Sequence, residues 1–353
     1  MRRILILSAL FTLAVSACTK KTDSQTAPAA ATAPRVLHLY CWSNYFSPRF
    51  LSEFEKKSGA KIDLNYFSSN EELLAKLQAG ARGYDLIVPT GYLIRALKSL
   101  GLIEPLGKLD WPELANLVGM AKAPQHDPTR EFAIPYSSGT TGLAVNRAKV
   151  KAKVDSLAWV FEHPELKGQV GMLDDAPVVI GTALRYLGYH YNDASDEALA
   201  KAKALLVKQK KFLKTYTADP MPIMEAGEIA VTQAYSGDVL QVRRKNPNLE
   251  FVHPKEGGEF FMDYLAIPKG AASPELAKEF MRFSLDRGIA AVQVMHLFYS
   301  PVVDIKGLPG TESLISNKVI FPGEETLKKF EILEDNPERL EKLQRIWTEL
   351  KSS

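Results

Sequence analysis

Between Val36 and Gly101 the chain alternates short β-type runs with helical runs, and this order constrains its fold more than any other feature. Val36 to Cys41 reads as a strand. Ser47-Pro48 then opens a helix, with Ser as N-cap and Pro at the first helical position. Phe50, Leu51 and Phe54 form its apolar stripe, and Gly59 stops it. Ile62 to Tyr66 reads as a second strand. Ser69 and Glu72 have capping-box spacing, and Leu73, Leu74 and Leu77 follow on one face before Gly80. Asp85 to Val88 is a third strand, ended by Pro89, and a helix follows from about Tyr92 to Leu100. Alternation of this kind predicts an α/β layer structure with a mainly parallel sheet. In such sheets the ligand crevice lies at the carboxyl ends of the strands.

The pattern continues down the chain. Gly142 to Asn146 and Gln169 to Leu173 read as strands, the second running into Asp174-Asp175. Residues 195–213 form an amphipathic helix, with Asp196 and Glu197 early and Lys208, Lys210 and Lys211 late, as the helix dipole favours. Ile229 to Ala234 is a strand ending in Tyr235-Ser236-Gly237-Asp238. Phe260 to Ile267 is another, and it contains Phe261-Met262-Asp263. Ser273-Pro274 opens a helix to about Leu285, and a charged helix runs from about Pro337 to Leu350. A body of about 320 residues accommodates two domains.

The start of the chain has a different character. Met1-Arg2-Arg3 is a short basic segment, and Ile4 to Val15 is an uncharged apolar run. A bilayer span needs about 20 apolar residues, so this run fits a secretory signal better than a membrane helix. Val15-Ser16-Ala17-Cys18 follows: an aliphatic residue, two small ones and a cysteine, the pattern of a bacterial lipobox. Residues 1–17 are therefore expected to be a lipoprotein signal and Cys18 the lipidated residue. Acyl chains contribute roughly 0.8 kcal/mol per buried CH₂ to membrane attachment. Residues 18–34 have almost nothing to bury and read as a flexible tether. The expected location is periplasmic or otherwise extracytoplasmic, with the membrane touched through the lipid alone.

Composition and motifs exclude several functions. Removing residues 1–17 takes away Arg2 and Arg3 and no acids, so the net charge falls from +3 to +1. No basic footprint for nucleic acid remains. With Cys18 lipidated, Cys41 has no partner and no intrachain disulfide forms. There is no G-x-S-x-G, H-E-x-x-H, P-loop or C-x-x-C. The six histidines are scattered, and none has a second His or Cys at ligand spacing. Tyr186, Tyr189 and Tyr191 around His190 read as packing rather than an iron site. No enzyme, metal or cofactor is expected.

What the strand ends do carry is aromatic rings and carboxylates: Trp42, Tyr45, Tyr92, Asp175, Tyr235, Asp238, Phe261 and Asp263. Ring faces attract cations, and carboxylates form charge-assisted hydrogen bonds to ammonium groups. Taken singly, Trp42 or Phe261 fits a core position, and Asp175 or Asp238 fits a helix cap. Taken together they describe a pocket for an elongated organic cation.

The segments LYCWSNYFSP, YDLIVPTGYLI, IPYSSGTTGLAVN, MLDDAPVV, AYSGDV, PKEGGEFFMDYLAIP and IFPGEETL resemble those of the periplasmic polyamine-binding proteins that serve spermidine and putrescine ABC importers. The resemblance covers nearly all of residues 35–350. It implies a two-lobed, type II periplasmic-binding-protein fold with the ligand in the cleft between lobes. Lobe 1 would comprise 35–138 plus 265–305. Lobe 2 would comprise 139–264 plus 306–353, including the C-terminal helices. The implied partners are a cationic polyamine and an ABC permease, with the protein acting as a monomer.

Carried over residue by residue, the resemblance makes Trp42 the indole that packs on the polyamine chain. Ser43 and Asn44 match polar positions contacting an amine, and Tyr45 adjoins them. Thr90 and Tyr92 match the cleft wall, and Asp175 matches a family acid. Tyr235 stands where the family usually has Trp. Asp238 and Phe261 agree with putrescine-type members, and Asp263 matches the family's most dependable amine ligand. Two departures stand out: Val178 replaces a Glu, and Leu333 stands near a family Gln. In motif order, the end that loses this Glu is left with Asn44, Thr90, Ser137 and Ser138. The expected function is polyamine capture with a putrescine-like preference. The alternatives are an amino acid derivative, a sugar-like or opine-like compound on the same fold, or a sensor without transport.

Overall fold

The computed structural model describes residues 35–352. The signal-like segment, Cys18 and the tether lie outside them. The described chain forms one compact unit, and none of its helices is long and apolar enough to cross a membrane.

The strands are β1 (Val36–Trp42), β2 (Lys61–Phe67), β3 (Leu86–Ile87), β4 (Ala133–Asn146), β5 (Val170–Leu173), β6 (Leu213–Thr217), β7 (Val231–Tyr235), β8 (Leu249–Val252), β9 (Gly258–Ala266), β10 (Ser300–Pro301) and β11 (Phe330–Glu331). Their order is β2-β1-β3-β9-β4-β7-β5-β6, with β8 and β10 paired to β4 and β11 to β9. The two outer parts are parallel, β2-β1-β3 on one side and β7-β5-β6 on the other. The middle is not, which corrects the expectation of a mainly parallel sheet. β9 runs antiparallel to both β3 and β4, and β4 runs antiparallel to β7. The physical reason is that β4 and β9 cross between the two parallel parts in opposite directions. β4 gives residues 133–140 to β9 and residues 141–146 to β7 and β8.

Local signals act as the sequence predicts at several ends. The Ser47 hydroxyl accepts from the Phe50 N–H at the start of the helix Pro48–Ser58, and Gly59 ends it with φ 68°. Ser69 accepts from the Glu72 N–H. The reciprocal bond shifts by one residue: Glu72 accepts from the backbone N–H of Ser68 at 2.8 Å. Ser273 makes no side-chain cap, and Pro274 alone marks that helix start.

Other elements exceed the sequence reading. β4 has fourteen residues, all buried. With both faces covered, its first half shows no alternation, and the polar Ser137 to Thr141 run conceals it. The helix Ala176–Tyr186 is apolar almost throughout, and Ser236–Arg243 and Arg287–Leu297 have no amphipathic signature in the sequence. In the first, nine residues from Ala176 to Leu184 are buried, so no polar stripe remains to give a 3.6-residue period. Gly181 of that helix meets the Tyr191 ring, where a Cβ would sit 2.4 Å from a ring carbon. The C-terminal helix Pro337–Ser352 is held against this region. Arg339 donates to the Tyr191 carbonyl at 2.8 Å, and Lys351 pairs with Asp174 at 2.8 Å.

Candidate functional site

The loops that follow β1, β3, β5 and β7 converge with the cavity-facing side of β9. β1 delivers Trp42 and the loop Ser43-Asn44-Tyr45. Asn44 sits at φ 52°, a left-handed conformation that Asn tolerates better than most residues. Its amide donates to Gln241 Oε1 at 2.8 Å, joining this loop to the helix Ser236–Arg243. Gln293 pins the same loop by donating to the Tyr45 carbonyl and accepting from the Ser47 N–H. β3 leads to Thr90, whose N–H donates to Asn70 Oδ1 at 3.1 Å. Tyr92 is buried, and its hydroxyl accepts from Asn70.

Asp263 stands at one end of the cavity. Tyr45 donates its hydroxyl to Oδ2, and Thr90 donates to Oδ1 at 2.7 Å. Burial pushes its carboxyl up to about 7, against the pull of these two donors. Asp238 lies nearby on the helix Ser236–Arg243 and accepts from the Tyr299 hydroxyl at 2.6 Å. Burial raises it to about 7 as well. The Tyr45 and Tyr299 rings are 6.3 Å apart, so the hydroxyl donors to these two acids come from neighbouring rings. Phe261 meets Tyr299 and Tyr235 edge-on at 5.7 and 5.5 Å.

Asp175 occupies another end. It caps the helix Ala176–Tyr186 by accepting from the Val178 N–H at 3.1 Å. It therefore fills both roles considered for it: cap and cavity wall. Burial, and then the neighbouring Glu71, raise its carboxyl to about 7.

All eleven residues singled out from sequence, Trp42, Ser43, Asn44, Tyr45, Thr90, Tyr92, Asp175, Tyr235, Asp238, Phe261 and Asp263, line this one cavity. The structure corrects the assignment of groups to its ends. Thr90 belongs to Asp263 and not to the opposite end. Ser137 adjoins the Tyr45 hydroxyl, Ser138 donates to the Ser300 carbonyl, and neither lines the cavity. Leu333 is also outside it; its carbonyl meets His126 Nε2 at 2.8 Å.

Sequence reasoning missed Tyr299, Asp219, Met221 and, above all, Glu259. Glu259 is 2% exposed, and its Oε2 has no hydrogen-bond partner. The signal was available: Glu259, Phe261 and Asp263 alternate, and alternate residues of a strand share a face. Among the described residues no cluster of His, Cys, Asp or Glu forms a metal site. Cys41 is buried and free, with its thiol pushed up to about 12 by burial.

The model of the family described as bacterial extracellular solute-binding protein matches residues 50–304. The putrescine-binding periplasmic protein SpuD of Pseudomonas aeruginosa is 33% identical over 349 residues, spanning 92% of this chain and 94% of that one. A candidate spermidine/putrescine ABC transporter from Listeria monocytogenes matches in structure with a TM-score of 0.83 at 28% identity, covering 90% of this chain and 99% of that one. The TpPotD lipoprotein of Treponema pallidum matches with a TM-score of 0.79 at 25% identity, covering 89% and 99%. The fold is thus the two-lobed periplasmic-binding-protein fold expected from the sequence.

Proposed function

We propose, from the fact that this chain belongs to the bacterial extracellular solute-binding proteins, that it captures a polyamine, putrescine-like ahead of spermidine, and delivers it to an ABC permease. Its relatives are substrate-binding transport proteins, and it is not an enzyme.

One observation carries the reading. The cavity is lined by six carboxylates, Asp174, Asp175, Asp219, Asp238, Glu259 and Asp263, and by no Lys, Arg or His. Asp174 is matched by Lys351 from outside. Two of the six, Glu259 and Asp263, are buried; buried carboxylates without a cation are costly, and a ligand bearing ammonium groups removes that cost through charge-assisted hydrogen bonds. Trp42, Tyr235, Phe261 and Tyr299 supply apolar and π surface for the alkyl chain between amines. The putrescine preference rests on Asp238 and Phe261. The rival cargoes, an amino acid derivative or a sugar-like compound, draw on Val178, and the buried carboxylate of Glu259 supports the polyamine reading against them. The mature protein would be a monomer held near an extracytoplasmic membrane face by a lipid on Cys18, with residues 18–34 as slack. Its lobes would divide as 35–138 plus 265–305 and 139–264 plus 306–353, with β4 and β9 crossing between them.

Titration calorimetry of the full chain in detergent with putrescine, cadaverine, agmatine and spermidine tests this. Binding is expected, tightest for the short diamines, and absence of heat with all four overturns it. Leu333→Ala is the control. It should leave affinity unchanged while lowering folding stability by about 2–5 kcal/mol, because a buried Leu is truncated outside the cavity.

A further inference from the structure

We infer that Glu259 forms, with Asp175, a second ammonium subsite opposite the Asp263 end of the cavity, so that β9 selects a diamine by length. This rests on reading the cavity as a polyamine site.

The side chain itself points to a ligand. Glu259 is 2% exposed and faces the cavity, yet Oε2 accepts no hydrogen bond from the protein. Its backbone is satisfied, with the N–H donating to Thr141 Oγ1 at 3.1 Å. A buried carboxylate left unpaired is unfavourable by several kcal/mol, and no basic residue lines the cavity to relieve it. Burial, then Asp175, then Asp263 hold its carboxyl well above the usual range. The Tyr92 and Tyr235 hydroxyls, raised first by burial, both also feel the charge of Asp175 and Glu259. These two carboxylates therefore belong to one neighbourhood, beside those two rings.

The strand supplies the spacing. Glu259, Phe261 and Asp263 all line the cavity. Four residues of strand put the first and last of these Cα atoms about 13 Å apart. A four-carbon chain spans roughly 6 Å between its amines at ordinary bond lengths. A charge-assisted hydrogen bond of roughly 2.8 Å at each end extends the bridge to about 12 Å. Phe261 stands between the two acids, with Tyr235 and Tyr299 edge-on to it, where the methylene chain would lie. Val178 lines the cavity too, and its short side chain carries no charge. The second acid of this end thus comes from β9 rather than from the helix Ala176–Tyr186.

Calorimetry of the full chain with putrescine and with butylamine, which keeps the chain but only one ammonium, tests the assignment. Glu259→Gln should weaken putrescine roughly 100-fold and leave butylamine within about threefold. Equal losses for both ligands, or no loss for either, overturn the subsite. Should the variant fail to fold, proton release by the unmodified chain decides. Measured in two buffers of different ionisation enthalpy, putrescine should release about one proton more than butylamine, and equal release overturns the subsite. Failure of the unmodified chain to bind any diamine or polyamine would instead overturn the polyamine reading itself.

Discussion

Asp263→Asn is expected to weaken diamine binding by roughly 10²–10³-fold while the protein stays folded. Truncating one partner of a buried, hydrogen-bonded charge pair costs about 2–5 kcal/mol of affinity, and each 1.4 kcal/mol is tenfold. Both carboxylate oxygens are already oriented, Oδ2 by Tyr45 and Oδ1 by Thr90. An ionised carboxylate has about four lone-pair sites, so each oxygen retains capacity for an ammonium hydrogen. Asn keeps one oxygen and the shape but loses the charge. Its amide would face a hydroxyl that now has no acceptor, a loss of about 1 kcal/mol in the free protein. Removing a buried, uncompensated carboxylate offsets that loss. Calorimetry should therefore show lost affinity, and thermal melting without ligand should show little change. A large fall in the melting temperature with binding retained would assign Asp263 to the scaffold instead.

The second large effect is on pH dependence. Asp175, Asp238 and Asp263 are each raised from the usual carboxylate range to about 7, chiefly by burial. A raised acid holds its proton in the folded state at pH values where the unfolded chain has released it. The stability it contributes is fully present below the unfolded value, about 4, and is lost as pH rises through about 7. The free protein should thus melt at progressively lower temperature from about pH 4 to about pH 7. Ligand binding runs the other way. Ammonium groups stay protonated across this range and require ionised carboxylates, so binding expels protons. Affinity should rise with pH up to about 7, by roughly tenfold per unit for each proton expelled. The ligand-induced shift in melting temperature should accordingly be larger at about pH 8 than at about pH 5.5. An affinity flat across that interval would mean that the carboxylates are ionised before the ligand arrives.

The two predictions draw on different levels of the molecule. Asp263 is legible from sequence because it sits in a short strand pattern next to aromatics, and because its segment resembles a known family. That it carries a proton near neutrality is not legible. The cause is burial, which outweighs the donors Tyr45 and Thr90 and arises only when segments more than a hundred residues away in the chain, theirs and β4, close over the carboxyl. Glu259 shows the same limit from the other side. It lies in the quoted segment, one strand repeat before Phe261. Its alternation with Phe261 and Asp263 is legible, but a Glu beside two glycines reads as turn, and only the fold extends β9 back to Gly258. Thr90 shows a third case: its residue type suits an amine contact, but only the fold reveals that its hydroxyl donates to Asp263.

By itself the sequence determined the alternation of strands and helices, the capped ends at Ser47 and Ser69, and the family. It also supplied the set of aromatic and acidic residues at the strand ends. These features are local: a cap needs three residues, a strand end needs a turn, and a motif is contiguous. Only the tertiary structure decided that β4 and β9 cross antiparallel between two parallel sheets. It also decided which acids stand at which end of the cavity, and that a strand Glu lines it beside Val178 with an unpartnered oxygen. Those outcomes depend on long-range pairing register, because a shift of one residue in β9 would turn Glu259, Phe261 and Asp263 away from the cavity together.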